Sequence, residues 1–526
     1  MAASWIKDAI FYEIYPQSFF DSNGDGIGDI NGIAQKLDYV KSLGCNAIWM
    51  NPCFDSPFRD AGYDIRDYKK VAPRYGTNED LKNLFAAAHE KGIRILLDLV
   101  PGHTSEEHPW FQESGKEEEN HYSHRYIWTD SWISRGDGMP FIGGEMPRNG
   151  TYVINFFKSQ PALNYGYREI REPAWQMPID APACLETREA IKDIMRFWLD
   201  MGCDGFRVDM ADSLVKNDGT DKLATMEVWK DIAGTIHAEY PEAALVSEWN
   251  NPQQALSCGF DMDFYLDWRG NGYNSLMRDY DIPKFGEEIT ENNSYFKADS
   301  TRDMSRFLED YLPQYEASKD KGLWCMITGN HDTLRAAPML DDRERRLAYS
   351  FLFTMPGAPF LYYGDEIGMP YRWVPTKEGG YVRTGSRTPM QWNKEKNMGF
   401  SEADEKDLYL PVGDMENAPN VAEQEGDRCS FLTFMRWLIT TRKNNPDLAA
   451  DAPFSVYYSA PGSRLFAYKR GELLIVMNPS MEELELKLDG TYGCIYSVGT
   501  RKFMGDTLIM KEQSFVILKP FVKANA

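Results

Sequence analysis

This 526-residue sequence predicts an α/β fold: a (β/α)8 TIM barrel with a small inserted domain after the third strand and a C-terminal antiparallel β domain. Three observations predict it. Short apolar runs alternate with amphipathic helical stretches up to about residue 370, as in parallel β/α architecture. An irregular stretch rich in Gly, Trp, Tyr and His, residues 104–172, interrupts that alternation and is too long for a simple loop. From about Phe454 the pattern changes to alternating strands separated by turns: SVYYSA, LFAYKR, ELLIVMN, ELELKL and SFVILK.

The elements follow in chain order. A strand is expected over 9–15 and a helix over 30–43. A second strand over 47–50 precedes a helix over 78–91, which Thr77 and Asp80 open as a capping-box pair. Residues 93–100 are rich in Ile, Leu and Val, as a strand buried on both faces is. After the insertion come a helix over 188–201, a strand over 205–209, a helix over 223–239 and a strand over 244–247. Residues 260–266, 323–328 and 360–363 complete the barrel. The expected domains are therefore a barrel from 1–103 and 173–450, an inserted domain over 104–172, and a C-terminal β-sandwich over 451–526.

The net charge of −23 argues against nucleic acid and anionic membrane as partners. No stretch approaches the ~18 apolar residues of a membrane span, and no secretory leader opens the sequence. Eight scattered cysteines form no CxxC pair and no dense framework. Reduced thiols and a cytoplasmic protein are the expectation.

In such a barrel the loops after the strands build the active site, so polar clusters at strand ends come first. Five occur. Gly62-Tyr63-Asp64 follows the second strand; a tyrosine ring packs on a sugar face and a carboxylate takes its hydroxyls. The third strand ends in Asp98-Leu-Val-Pro-Gly-His103. The fourth carries Arg207 and Asp209, of the same strand parity; a guanidinium beside a carboxylate favours the ionised form that a nucleophile requires. The fifth ends in Glu248-Trp249, apolar surroundings that raise a carboxyl pKa as a general acid needs. The seventh ends in Asn330-His331-Asp332-Thr-Leu-Arg335. A structural ion pair or a turn accounts for each cluster alone but not for five together. Two carboxylates about 5–5.5 Å apart give retaining glycoside hydrolysis, with Asp332 as a third that holds hydroxyls and stabilises positive charge.

DLVPGH, GFRVD, the Glu248 segment and NHD together resemble the strand-end motifs of the α-amylase family of glycoside hydrolases, across nearly the whole chain. QPALN (160–164) and the run 356–368 resemble two accessory motifs. QPALN and Thr388-Pro-Met-Gln-Trp392 are similar to the oligo-1,6-glucosidase, α-glucosidase and trehalose synthase group. The resemblance implies Asp209 as nucleophile, Glu248 as acid/base and Asp332 as transition-state stabiliser. It also implies Tyr63, Asp64, His103, Arg207 and His331 around the bound glucose, with Asp64 and Arg335 closing the pocket behind it. Three positions depart from the family pattern. Gly102 stands where an asparagine is usual, so the calcium site between barrel and inserted domain is expected to be absent. Met210 after the nucleophile matches neither linkage type of the group. Trp249-Asn-Asn-Pro252 is unlike the common versions and points to an unusual leaving group.

The loop Asp21-Ser-Asn23-Gly-Asp25-Gly26-Ile27-Gly-Asp29 alternates oxygen ligands with a glycine at the sixth position, like the start of an EF-hand, but position twelve is Gly32 and not glutamate. Structural Ca2+, or Mg2+, on Asp21, Asn23, Asp25, Ile27 and Asp29 is the expectation, and relatives of the group carry such a loop. The function expected is a retaining exo-α-glucosidase acting on short α-glucosides of maltose or isomaltose type. The alternative is an α-glucosyl transferase or isomerase of trehalose synthase or sucrose isomerase type. A non-enzymatic relative of the transporter heavy-chain kind is disfavoured by three intact carboxylates and the lack of a spanning segment.

Overall fold

The structure, a computed structural model, describes residues 3–266, 270–282, 287, 289, 291–379 and 381–521. Eight parallel strands among the described residues close into a barrel. They are β1 (Phe11–Ile14), β2 (Ala47–Met50), β3 (Arg94–Leu99), β4 (Gly205–Val208), β5 (Ala244–Ser247), β6 (Met262–Phe264), β7 (Leu323–Ile327) and β8 (Ala358–Tyr362). Each pairs with its neighbour in the chain, and β1 closes on β8 through Phe11 opposite Phe360. Nearly every strand residue is buried, because strand side chains pointing in fill the barrel and those pointing out meet the surrounding helices.

Strand ends differ from the expected bounds by one or two residues. Two helices differ in kind. The helix expected over 30–43 is two, Ile30–Gln35 and Leu37–Leu43, broken at Lys36 where φ is −102° and ψ 6°. The helix before β4 runs over Pro182–Met201, six residues earlier than expected, with proline at its first turn where no N–H is needed. The helix Asn78–Glu90 opens with the expected capping box: Thr77 Oγ1 accepts from Asp80 N at 3.2 Å, and Asp80 Oδ2 from Thr77 N at 2.8 Å.

Residues between β3 and Pro182 carry a two-stranded ribbon, Phe141–Gly143 with Thr151–Val153, over a small core of Ile127, Val153, Ala162 and Tyr167. A bridge between His103 and Ala162 ties this segment to the end of β3. After the barrel, a five-stranded antiparallel sheet faces a three-stranded one across Leu465, Leu474, Val476, Leu486, Leu508 and Met510. Three of its strands, Tyr492–Val498, Arg501–Met504 and Thr507–Met510, have no counterpart in the sequence reading. Their burial is mixed, so the alternation that marks a strand is weak.

Register is what the barrel contributes to the site. Asp98 on β3 lies opposite Arg207 on β4, and Val208 lies opposite Ser247 on β5. The next residues up, Asp209 and Glu248, therefore leave the barrel side by side, with Asp209 N donating to Leu99 O and Glu248 N to Val208 O, both at 2.9 Å. Gly205 makes this close approach possible. Its φ is +142°, and a Cβ there would sit 1.9 Å from the carbonyl oxygen of Ala244. Gly205→Ala is expected to cost roughly 3 kcal/mol or more in urea unfolding. Gly234→Ala, in the helix Leu223–Glu239 with nothing within 4 Å of the new methyl, is expected to be neutral or stabilising. Equal stabilities for the two variants would contradict this account of the β4–β5 contact.

Candidate functional site

A cavity of about 200 Å3 opens at the C-terminal end of the barrel, lined on one side by Asp60, Tyr63, His103, Asp332 and Arg383. Asp209 and Glu248 stand in it, and Met210, Trp249, Leu266, Phe156 and Asp212 line the rest. The structure thus brings together side chains from the ends of β2, β3, β4, β5 and β7.

Beneath the cavity floor lies Arg207, 1 % exposed. Its Nη1 is 2.8 Å from Asp98 Oδ1 and 3.1 Å from Asp209 Oδ1, and its Nη2 is 2.7 Å from Glu248 Oε2. Its guanidinium also lies 4.9 Å from the centre of the Trp49 ring. One cation therefore serves three carboxylates. Burial pushes the Asp209 carboxyl up, the neighbouring Glu248 pushes it further, and Arg207 opposes both. Arg207 thus favours the ionised form, as expected of a guanidinium beside a carboxylate, but burial and Glu248 make the net direction upward. Burial also lifts Asp98 to about 6 against the pull of Arg207, and Asp98 Oδ2 accepts from Tyr63 Oη at 2.9 Å and Trp49 Nε1 at 3.1 Å.

Sharp backbone geometry presents the two carboxylates. Met210, directly after Asp209, sits at φ +41°, a left-handed conformation that a side chain of this size adopts only when its surroundings enforce it. Its N–H donates to Glu248 Oε2 at 3.0 Å. On the other side, the buried Asp263 of β6 accepts from Ser247 Oγ (2.6 Å), Trp249 N (3.1 Å) and Asn251 N (2.9 Å). These donors flank Glu248 on either side, so one buried carboxylate holds the loop that carries it. Burial pushes Asp263 up to about 7, against those hydrogen bonds.

Asp332 faces the pair. Burial disfavours its charge, but Arg383 Nη1 at 3.0 Å and Arg387 Nη2 at 2.9 Å outweigh that and hold it well below the usual carboxylate range. His331 lies beneath the cavity, with Nε2 2.7 Å from Tyr63 Oη and Nδ1 2.9 Å from Glu13 Oε1. Burial keeps its imidazole neutral. His103 accepts at Nδ1 from the Asn155 amide (3.1 Å), which leaves Nε2 to carry the hydrogen and donate to Tyr63 O (3.1 Å). Burial lowers its pKa to about 4.

Two expected pocket residues are placed elsewhere. Asp64 is fully buried and accepts from Ser56 Oγ (2.9 Å), Arg59 N (2.9 Å) and Asp60 N (3.1 Å). It folds the loop; the carboxylate that reaches the cavity is Asp60, four residues earlier. Arg335 is sealed under the end of β8, bonded to Tyr363 O (2.8 Å) and Asp365 Oδ1 (2.9 Å). Arg383 stands in the cavity instead and reaches Asp60 Oδ1 at 3.3 Å as well as Asp332. Asp60 and Asp64 carry the same chemistry in the sequence, so only the fold of the loop separates them. Arg383 lies far from any strand end, where the sequence holds no signal for it.

At Gly102 a Cβ would meet the Asn155 amide nitrogen at 2.8 Å. Asn155 Oδ1 in turn accepts from Lys216 Nζ (3.1 Å), which also donates to Ser213 O (2.7 Å). Lys216 joins the inserted segment to the barrel at this point.

In the loop after β1, Asp21 Oδ1 accepts from Asn23 N, Asn23 Oδ1 from Asp25 N and Asp25 Oδ1 from Ile27 N, at 3.1, 3.0 and 2.9 Å. These three successive side-chain turns keep the oxygens in register, a hard-oxygen set suited to calcium. Asp29 is engaged in capping the helix Ile30–Gln35 through Gly32 N (2.7 Å). Among the described residues no three Asp, Glu, His or Cys side chains already form a metal cluster. A cation here would draw on Asn23 and the Ile27 carbonyl as well as the aspartates.

Comparison with known proteins agrees with this geometry. Residues 13–451 match the family model described as alpha amylase, catalytic domain. The trehalose synthase/amylase TreS of Mycobacterium tuberculosis is 32 % identical over 566 residues, covering 95 % of this chain and 87 % of that protein. An oligo-1,6-glucosidase of Halalkalibacterium halodurans is 29 % identical over 534 residues, covering 91 % and 90 %. The crystal structure of the trehalulose synthase MutB from Pseudomonas mesoacidophila superposes with a TM-score of 0.80 at 26 % identity, covering 99 % of this chain and 100 % of that one. With the barrel, its strand-end carboxylates and these similarities in agreement, the chain belongs to the α-amylase family.

Proposed function

We propose that this protein is a retaining, exo-acting α-glucosidase that releases terminal glucose from short α-glucosides. One observation carries the reading: a single buried guanidinium, that of Arg207, holds Asp209 at 3.1 Å and Glu248 at 2.7 Å at the same end of the barrel. Two carboxylates that share one guanidinium stand close together, which favours the short spacing of retaining enzymes.

In this reading Asp209 attacks C1 of the glucosyl unit while Glu248 gives its proton to the departing glycosidic oxygen. The C1–O bond breaks as the C1–Oδ bond forms. Glu248, now ionised, takes a proton from water as that water attacks C1, which frees Asp209 and restores the acid. Asp332, kept ionised by Arg383 and Arg387, holds hydroxyls of the ring and favours the positive charge that develops on it. Tyr63 and the neutral His103 and His331 shape the glucose pocket, and Asp60 with Arg383 close it. A pocket closed behind one sugar favours action at chain ends.

The second reading is an α-glucosyl transferase or isomerase, in which a sugar hydroxyl replaces water in the second step. The likeness to trehalose and trehalulose synthases favours it. Phe156, 52 % exposed at the cavity mouth, supports the hydrolytic one, because the mouth stays wetted. The reading also includes a reducing, cytoplasmic setting, supported by eight unpaired cysteines, and a structural Ca2+ (or Mg2+) on the 21–29 loop.

Four outcomes test it. Asp209→Asn is expected to fold as the wild type and lose kcat by roughly 10⁴-fold or more; near-full activity would refute the nucleophile assignment. With wild type, NMR on maltose and isomaltose should show α-glucose first, and a new disaccharide without matching glucose would replace hydrolysis by transfer. Glu248→Gln removes the proton donor, so kcat/KM on maltose is expected to fall roughly 10²-fold or more, while an aryl glucoside with a good leaving group loses far less. Equal losses on the two substrates would refute the acid assignment. Calcium added to EDTA-treated protein is expected to raise Tm by roughly 5 °C or more. An identical Tm would remove the metal from the reading.

A further inference from the structure

We propose that the leaving-group side of the cavity selects an aglycone that is an apolar alcohol, alkyl or aryl, over one that is a second sugar. The inference rests on the glucosidase reading and adds the substrate class. The cavity is divided by chemistry. The side that takes glucose presents charged and hydroxyl groups, Asp60, Tyr63, Asp332 and Arg383 among them. Around Glu248 stand Met210, whose N–H donates to it, Trp249 and Leu266, while Phe156 lines the cavity half-exposed with the Arg383 guanidinium 5.7 Å from its ring.

The hydrogen-bonding groups on that wall are turned inward and already used. Trp249 Nε1 donates to Gln254 Oε1 at 3.0 Å, and its backbone N–H to Asp263 Oδ1 at 3.1 Å. Met210 N–H is spent on Glu248 and Leu266 N–H on Asn250 Oδ1 at 2.8 Å. Asp212, the remaining polar side chain on this side, is the exception: it is partly exposed at the edge of the cavity, where it pairs with Lys222 Nζ at 3.3 Å. A sugar aglycone carries several hydroxyls, and those pressed against this wall would exchange water for nothing. Each such exchange is costly, whereas an apolar group loses no hydrogen bond and gains from leaving water.

Phe156 keeps half of its ring surface in water at the mouth, an exposure that a bound apolar group would cover.

The test uses the wild-type protein and a homologous series of substrates: methyl, butyl and hexyl α-D-glucopyranoside, with maltose and isomaltose beside them. The alkoxide leaving groups of the series are of similar basicity, so differences report contacts with the wall. Burial of a methylene is worth roughly fourfold where it is complete. We expect kcat/KM to rise about tenfold or more from methyl to hexyl, and hexyl to exceed both disaccharides. A flat series, or preference for either disaccharide over hexyl, overturns the proposal while glucose release keeps the glucosidase reading. Release of glucose from none of the five would instead remove that reading. Phe156→Ser, exposed at the mouth, and Met210→Ala are each expected to lower the hexyl-to-methyl ratio about threefold or more. A ratio unchanged in both variants overturns the assignment of the wall.

Discussion

Everything at this site depends on one buried cation. Arg207 is nearly sealed from water, and its charge is stable there only because Asp98, Asp209 and Glu248 surround it. The dependence runs both ways. Without the guanidinium, three carboxylates would crowd the ends of three successive strands; without the carboxylates, an unpaired cation would lie in the barrel core. The arrangement still leaves more negative groups than positive ones, which pushes the Asp209 carboxyl up. A glycosidase needs that imbalance, since one of the two carboxylates above Arg207 must attack while the other still has a proton to give.

The barrel creates this geometry by register and the loops complete it. Asp98 opposite Arg207, and Val208 opposite Ser247, are consequences of parallel pairing, so the relative position of Asp209 and Glu248 follows from backbone hydrogen bonds alone. Gly205 belongs to the same logic: β4 approaches β5 closely just below the reacting carboxylates, where a side chain would force the strands apart. Loop positions obey looser rules. Arg383 and Arg387 come from a segment far down the chain and determine the charge state of Asp332, while Asp263 holds Glu248 from the adjacent strand.

That difference explains which parts of the molecule were legible in the sequence. The barrel strands are apolar runs of the right length, and the polar residues at their ends sit where the fold must expose them, so Asp209, Glu248, Asp332, Tyr63 and His103 are found at the cavity without knowledge of the fold. Asp64 and Arg335 are the instructive failures. Each stands next to a true cavity residue and has the appropriate charge, yet Asp64 turns into its own loop and Arg335 under β8. Charge type is written in the sequence; side-chain direction within a loop depends on hydrogen bonds to partners such as Ser56 and Tyr363 that no periodicity reveals. The weak strands of the C-terminal domain were missed for a related reason, since a half-exposed sheet edge need not alternate.

The two halves of the cavity are under different constraints, and this bears on how such a site changes its substrate. Groups on the glucose side are locked into shared networks: Tyr63 contacts both Asp98 and His331, and Asp332 both Arg383 and Arg387. Replacing one of them strands a buried partner without its hydrogen bond, at a cost of roughly 1–3 kcal/mol or more. The leaving-group wall is bound more loosely. Leu266 and Phe156 contribute side chains that form no hydrogen bond, and Met210 Sδ has only a 3.9 Å contact from the Asn155 amide, so exchanging them alters volume and polarity at small cost to their neighbours. Chemistry is therefore conserved by the physics of the polar network, while the identity of the aglycone is left to the residues that network does not bind.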